Sequence, residues 1–337
     1  MSGIEIINPY QEGLIKKIKD FIKFVLIKTR SIVFLTDIAA NHYASALPKM
    51  PLTIEVETVN RCNSDCSFCP INYNNDPRPY QKMQMELIEK IANDLANINY
   101  DGILGLHSNN EPLTDRRIVE ICALFRKKVP LAYINIWTNG IMLNYELYVQ
   151  LFDTGLDELL IDNYDDGLHL IKSVAKLLEE IEKNNNPHLK EYKRKTRIIL
   201  RKKNEILTNR GGIAPNKPVE VFKEYNIYET HSCAYPFTQM VIRPSGEVSL
   251  CCQDAFGQVT LGDLKTESIL DIWHGEKFEG VRMALQQHGR KEIKLCSKCD
   301  VGIVFGKVWG LHFKTLSMKR KAKGEKLKIN AKTYQNN

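Results

Sequence analysis

Residues 61–70, Arg-Cys-Asn-Ser-Asp-Cys-Ser-Phe-Cys-Pro, place three thiols within eight positions, spaced Cys62-x3-Cys66-x2-Cys69. Thiolates ligate both zinc and iron–sulfur clusters, and a closed site of either kind takes four ligands. Zinc would want a second ligand pair at finger-like distance. The next cysteine, Cys122, stands alone in the middle of a helix-like stretch and reads as a small buried apolar residue. On a four-iron cluster, three thiolates leave one iron open to an outside ligand. The remaining cysteines come late: Cys233, then Gly246-x4-Cys251 with Cys252 beside it, then Cys296-x2-Cys299. A bare Cys-x2-Cys pair fits zinc or iron–sulfur alike.

The elements that must carry these groups alternate along the middle of the chain. Residues 52–58 alternate as a strand does and run into the cysteine loop; strand-like runs recur at 102–108, 131–137, 156–162 and 196–200. Helix-like stretches lie between them at Met83–Ile98, Asp115–Lys128, Asn144–Phe152 and Leu168–Glu182. This βα beat implies a parallel sheet, with a sixth strand expected within 205–243. Functional groups in such folds gather at the carboxyl ends of strands. The cysteine loop occupies that position after the first strand, His107–Glu111 after the second, Thr138-Asn139-Gly140 after the third, Asp162-Asn163 after the fourth and Arg201 after the fifth. His107 reads as an ordinary hydrogen-bonding residue or a proton acceptor. The stretch 207–212, with Asn209 and Arg210 before two glycines, reads as a surface turn or a clamp for a sugar hydroxyl or phosphate. Around Pro244-Ser245-Gly246 two strand-like runs form a hairpin signal.

The chain has 337 residues, 43% apolar and 26% charged, an ordinary composition for a globular protein larger than one typical domain. Its net charge of +7 equals the excess in the tail alone, where eight Lys/Arg follow from Lys314 against one Glu, so a solvated flexible tail is expected and no nucleic-acid partner. Near the N-terminus Leu14, Ile18, Phe21, Ile22 and Val25 share a helical face opposite Lys16, Lys19 and Lys23. That stretch is too interrupted by charge to span a bilayer. It reads as a helix packed on the main domain or as an interfacial membrane helix. A cytoplasmic, and at most membrane-peripheral, protein keeps its thiols reduced, so nine cysteines point to metal rather than disulfides.

The spacing of Cys62, Cys66 and Cys69, with the aromatic Phe68 before the last of them, resembles the signature of the radical S-adenosylmethionine (SAM) enzymes. The resemblance implies a partial (β/α)6 barrel in which SAM chelates the open iron of a [4Fe-4S] cluster. In that family a Gly-Gly-Glu-Pro stretch after the second strand receives the methionine end of SAM; here Asn109-Asn110-Glu111-Pro112 stand at the matching positions. Asn tolerates the left-handed backbone better than most residues, so the turn can survive the change. Asp162, Asn163 and Arg201 match places where the family binds ribose and carboxylate.

The later cysteines resemble the shortened, "twitch" form of the SPASM domain, which carries one auxiliary [4Fe-4S] cluster. Its ligands would be Cys233, Cys251, Cys296 and Cys299, with Cys252 the spare. The resemblance divides the chain into an extension (1–50), a barrel (51–225), a small hairpin-and-helix auxiliary domain (226–312) and a basic tail (313–337). Full ligation leaves no open iron, so a second cluster of this kind moves electrons or holds the fold. Twitch enzymes known to pass an electron to their auxiliary cluster oxidise an aminocyclitol alcohol. The implied reaction is therefore dehydrogenation of a secondary alcohol on a sugar, sugar nucleotide or cyclitol, with a flavodoxin- or ferredoxin-type electron donor. Epimerisation of a sugar and modification of a peptide are the alternatives. A non-catalytic iron–sulfur carrier has no use for an open iron.

Overall fold

The strands follow from β-branched and apolar residues at alternate positions. In the computed structural model, which describes residues 3–10, 43, 45–217 and 232–301, they are β1 Glu5–Ile7, β2 Thr53–Val56, β3 Ile103–Gly105, β4 Tyr133–Thr138, β5 Glu158–Tyr164, β6 Thr196–Arg201, β7 Gln239–Ile242, β8 Glu247–Ser249 and β9 Thr260–Asp263. They form one nine-stranded sheet in the order β1-β6-β5-β4-β3-β2-β7-β8-β9. Every pairing from β1 to β7 is parallel, and β8 and β9 follow antiparallel. The helical face around Leu14–Val25 and the basic tail lie outside the described residues, among which no helix is long and apolar enough to cross a membrane.

Helices Met85–Asn97, Ile118–Lys128, Tyr145–Asp153 and Lys172–Lys183 connect the strands as the alternation requires. The first buries Ile88, Ile91, Ala92 and Leu95, the i, i+3, i+4, i+7 stripe of a helix with one apolar face. Asn144 starts the third by accepting a hydrogen bond from the Leu147 amide at 2.8 Å.

The sixth strand falls at the far end of the expected stretch. It is β7, and it pairs with β2, Thr53↔Gln239 through Val56↔Ile242, at the edge away from β6. Among the described residues the place beside β6 belongs to β1, with Glu5↔Arg197 and Ile7↔Ile199. Because β7 to β9 continue the sheet of β2, the auxiliary segment extends the barrel's own hydrogen-bond ladder.

The two faces of this sheet differ chemically. Ile54, Val56, Leu104, Ile134, Ile136, Ile161, Ile198, Met240 and Ile242 pack with the helices in one apolar cluster. Strand period 2 then sends Glu55, Asn135, Trp137, Asp162, Tyr164, Arg201 and Gln239 to the opposite, inner face. Fully buried parallel strands usually read as unbroken apolar runs. These alternate because their inner face is a polar chamber.

Candidate active site

The cysteine loop leaves the carboxyl end of β2 and is held by its own backbone. Asn72 Nδ2 donates to the carbonyls of Cys66 and Cys69, both at 3.0 Å, and the Cys69 amide donates to the Cys66 carbonyl at 3.1 Å. Ser64 Oγ sits 3.2 Å from Cys66 Sγ, and Asn139 Nδ2 reaches Cys62 Sγ at 3.8 Å and Asn63 Oδ1 at 2.8 Å. The Ser67 amide donates to the Lys203 carbonyl at 2.9 Å, closing the loop after β6 onto the cysteine loop. The three thiols lie within one another's electrostatic reach. Burial pushes Cys62 up to about 12 and Cys66 up to about 11, so metal binding would have to displace their protons.

The second set gathers around the end of β8. Cys251 feels Cys296, Cys299 and Cys233, all buried, whereas the neighbours of Cys252 are Glu55, Arg210, Gln253 and Gln239. Cys251 therefore lies toward three other cysteines, and Cys252 toward groups of the inner face. Arg290, itself buried, donates to the carbonyls of Ser232, Cys299 and Val301 and brings a positive charge to the cysteines. Among the described residues no three His, Cys, Asp or Glu side chains converge to hold a single metal ion. A four-iron cluster does not ask for convergence on one ion, since each thiolate takes its own iron.

Glu111 stands at the junction of the loops after β3 and β4. Its carboxylate accepts from the Leu113 amide (3.1 Å), Thr138 Oγ1 (2.6 Å) and the Asn139 amide (2.7 Å). Burial still prevails and pushes it up to about 7. Expected as a cofactor contact, Glu111 spends its carboxylate on holding the two loops together. Asn110 Oδ1 accepts from the Ser108 amide at 3.0 Å, while its Nδ2 is buried without a partner. An orphaned donor there suits a bound acceptor such as a carboxylate. Asn109 accepts from Arg210 Nη1 at 3.3 Å.

At the far side of the mouth, Phe68 is buried with its ring 5.7 Å from that of Tyr164. Asp162 lies on the inner face beside Arg201, and burial raises its carboxyl. Asn163 points the other way: its amide donates to the His169 carbonyl at 2.8 Å and accepts from the Ile171 amide at 2.9 Å. Its side chain therefore serves the loop after β5. His107 stacks on Trp137, and its Nδ1 accepts from the Trp137 amide at 3.2 Å. With Nδ1 accepting, the ring proton is assigned to Nε2.

Arg210 comes from a loop, yet it enters the chamber. Its backbone takes φ +52°, and Nη1 donates to the Cys252 carbonyl at 3.1 Å as well as to Asn109. Nearby Glu55 accepts from Ser108 Oγ at 2.7 Å and Gln239 Nε2 at 2.8 Å; burial lifts it to about 7 although Arg210 opposes the shift. Sequence reasoning missed Glu55 and Gln239. The signal for Glu55 was present in the Thr-Ile-Glu-Val alternation of β2, where a carboxylate interrupts an apolar strand.

One α/β sheet that gathers three thiols in the loop after its first barrel strand, and four more in its extension, defines an iron–sulfur protein. Residues 56–162 match the model of the radical SAM superfamily, and residues 233–300 match that of SPASM, an iron–sulfur cluster-binding domain. The chain is a radical SAM enzyme, of the kind that takes SAM and iron–sulfur clusters. It is similar to the S-adenosyl-L-methionine-dependent 2-deoxy-scyllo-inosamine dehydrogenase of Niallia circulans, 25% identical over 254 residues that cover 75% of this chain and 94% of that one. In fold it is similar to the crystal structure of BtrN in complex with AdoMet and 2-DOIA (24% identity, TM-score 0.60, covering 74% of this chain and 93% of that one). The open conformation of BtrN matches at 20% identity and TM-score 0.54, over 74% of this chain and 92% of that one.

Proposed function

We propose that this enzyme oxidises a secondary alcohol of a carbohydrate-like substrate, a sugar, sugar nucleotide or cyclitol, to the ketone. The observation that carries the reading is the polar inner face between the two cysteine sets, where Glu55, Ser108, Asn109, Arg210 and Gln239 hydrogen-bond among themselves and to Cys252. A chamber lined by donors and acceptors suits a polyhydroxylated molecule, because each buried polar group must find a partner. The relative named an inosamine dehydrogenase supports the same class.

In this reading Cys62, Cys66 and Cys69 hold one [4Fe-4S] cluster with an open iron, and Cys233, Cys251, Cys296 and Cys299 hold a second, closed one. SAM would be held by Phe68, Asn109, Asn110, Asp162 and Arg201. When bound, these groups supply a carbon-centred radical that removes hydrogen from an unactivated C–H bond and an acceptor for the one electron left behind. The chain's own task is the hydroxyl proton. Glu55, at about 7, is poised to take it. Arg210 holds the hydroxyl oxygen from the auxiliary side.

Epimerisation is the second reading, favoured by the inward side of Cys252, whose thiol could return a hydrogen atom to the substrate carbon.

The test is anaerobic turnover of the reconstituted protein with SAM, a strong reductant and a panel of cyclitols, aminocyclitols and sugar nucleotides. The expected products are 5′-deoxyadenosine and a ketone two mass units lighter than its parent. If no panel member raises 5′-deoxyadenosine above the substrate-free level while a short peptide does, the carbohydrate reading fails.

A further inference from the structure

The segment 3–10 has a place in the fold that its own burial does not explain. β1 is three residues long, with Glu5 and Ile6 exposed, Ile6 at 42%. Apolar burial therefore contributes little to its pairing with β6. What parallel pairing does is set direction, since a chain that runs alongside β6 leaves the sheet at the carboxyl ends, where the cysteine loop lies.

Tyr10 arrives at that end. Its hydroxyl donates to Glu205 Oε2, and the other oxygen of Glu205 accepts from Arg201 Nε at 2.6 Å. Arg201 in turn faces the buried Asp162. Burial lifts the Tyr10 phenol to about 12, so at neutral pH it stays protonated and can only serve Glu205 as a donor. Lys202 Nζ lies 5.3 Å from the centre of the Tyr10 ring, which pins the ring from the β6 side. The stretch that carries Glu205 is fastened to the cysteine loop as well: Asn216 Nδ2 donates to the Glu205 carbonyl at 3.0 Å and to Ser67 Oγ at 3.2 Å. A chain of contacts, Tyr10 to Glu205 to Arg201 to Asp162, thus runs from the N-terminal strand into the mouth.

We infer that β1 closes the SAM side of the barrel and that Tyr10 is a positioning residue for the cofactor, acting through Glu205 on Arg201. The inference rests on the reading of Arg201 and Asp162 as SAM contacts. An arginine on a long flexible stem contributes most to binding when its planar fork is already oriented. Arg201 Nε donates to one oxygen of Glu205, and Tyr10 donates to the other from the edge of the sheet.

Equilibrium dialysis of SAM against the reconstituted protein tests it. Y10F is expected to weaken SAM binding about fivefold, the worth of roughly one hydrogen bond, while iron content, thermal midpoint and the KM for the alcohol stay at the parent values. E205Q should do at least as much, and the Y10F/E205Q double variant should be no weaker than E205Q, because the two residues act as one unit. A Y10F protein that binds SAM normally, while R201Q binds it poorly, overturns the role of Tyr10 and leaves the SAM pocket standing. Parent affinity in R201Q overturns both. Loss of iron or a lowered thermal midpoint in Y10F, in step with the lost affinity, also overturns it in favour of a purely structural strand.

Discussion

Cys251 and Cys252 are neighbours in sequence with different company: just beyond the end of β8, one lies near three other cysteines and the other beside Glu55 and Arg210. Cys251→Ala is expected to lower bound iron from about eight to about four per chain, two four-iron clusters becoming one, while Cys252→Ala retains about eight. Iron counting after anaerobic reconstitution checks this, and loss of the second cluster in Cys252→Ala alone would reverse the assignment. Glu55 makes a separate prediction. A proton acceptor works only when ionised, and burial puts Glu55 at about 7 rather than the usual carboxylate range. Turnover should therefore rise as pH increases through about 7 and level off above it. Glu55→Gln should lower kcat by about 10²–10⁴-fold and remove that rise. A profile unchanged in the variant would exclude Glu55 as the base.

At the scale of elements, the turn after β4 shows how backbone freedom serves the site. Gly140 has φ +74°, and a Cβ there would stand 2.8 Å from Val174 Cγ2 and 2.9 Å from Ile161 Cγ2. This turn aims the Asn139 amide at Glu111 and the Asn139 side chain at Cys62. Gly140→Ala should cost roughly 1–3 kcal/mol in denaturant unfolding, from backbone strain and the clash together. A variant as stable as its parent would mean the turn can relax. The five barrel strands were legible in sequence because each carries its own alternation, and only their ends moved by a few residues. β1 was not, since three residues with two exposed show no period. The docking of β7 on β2 was not legible either, because pairing between strands far apart in sequence is settled by tertiary packing. The site divides in the same way. Thiol spacing is local and announces itself, whereas Tyr10 meets Glu205 across 195 positions and Gln239 meets Glu55 across 184.

Over the whole molecule, one sheet carries both cysteine sets, since β7 hydrogen-bonds to the strand that feeds the first cysteine loop and β8 leads to Cys251. The chamber therefore lies between a set of three thiols and a set of four, with Glu55 and Arg210 both reaching into it. Removing a hydrogen atom, a proton and an electron from one carbinol needs three separate destinations. This arrangement supplies them around a single space, and that is why oxidation is favoured over a radical isomerisation, which returns its hydrogen atom and needs no closed set. Substrate deuterated at the reacting carbon separates the outcomes. Oxidation predicts one deuterium in 5′-deoxyadenosine, one SAM consumed per turnover, and a ketone two mass units below the unlabelled alcohol. Epimerisation would instead leave the product mass of the unlabelled alcohol unchanged and place solvent-derived hydrogen at that carbon, by way of the exchangeable proton of a thiol such as Cys252. Cys252→Ala then decides between them: an oxidase keeps its ketone and its deuterium transfer, whereas an epimerase loses the inverted product while still forming labelled 5′-deoxyadenosine.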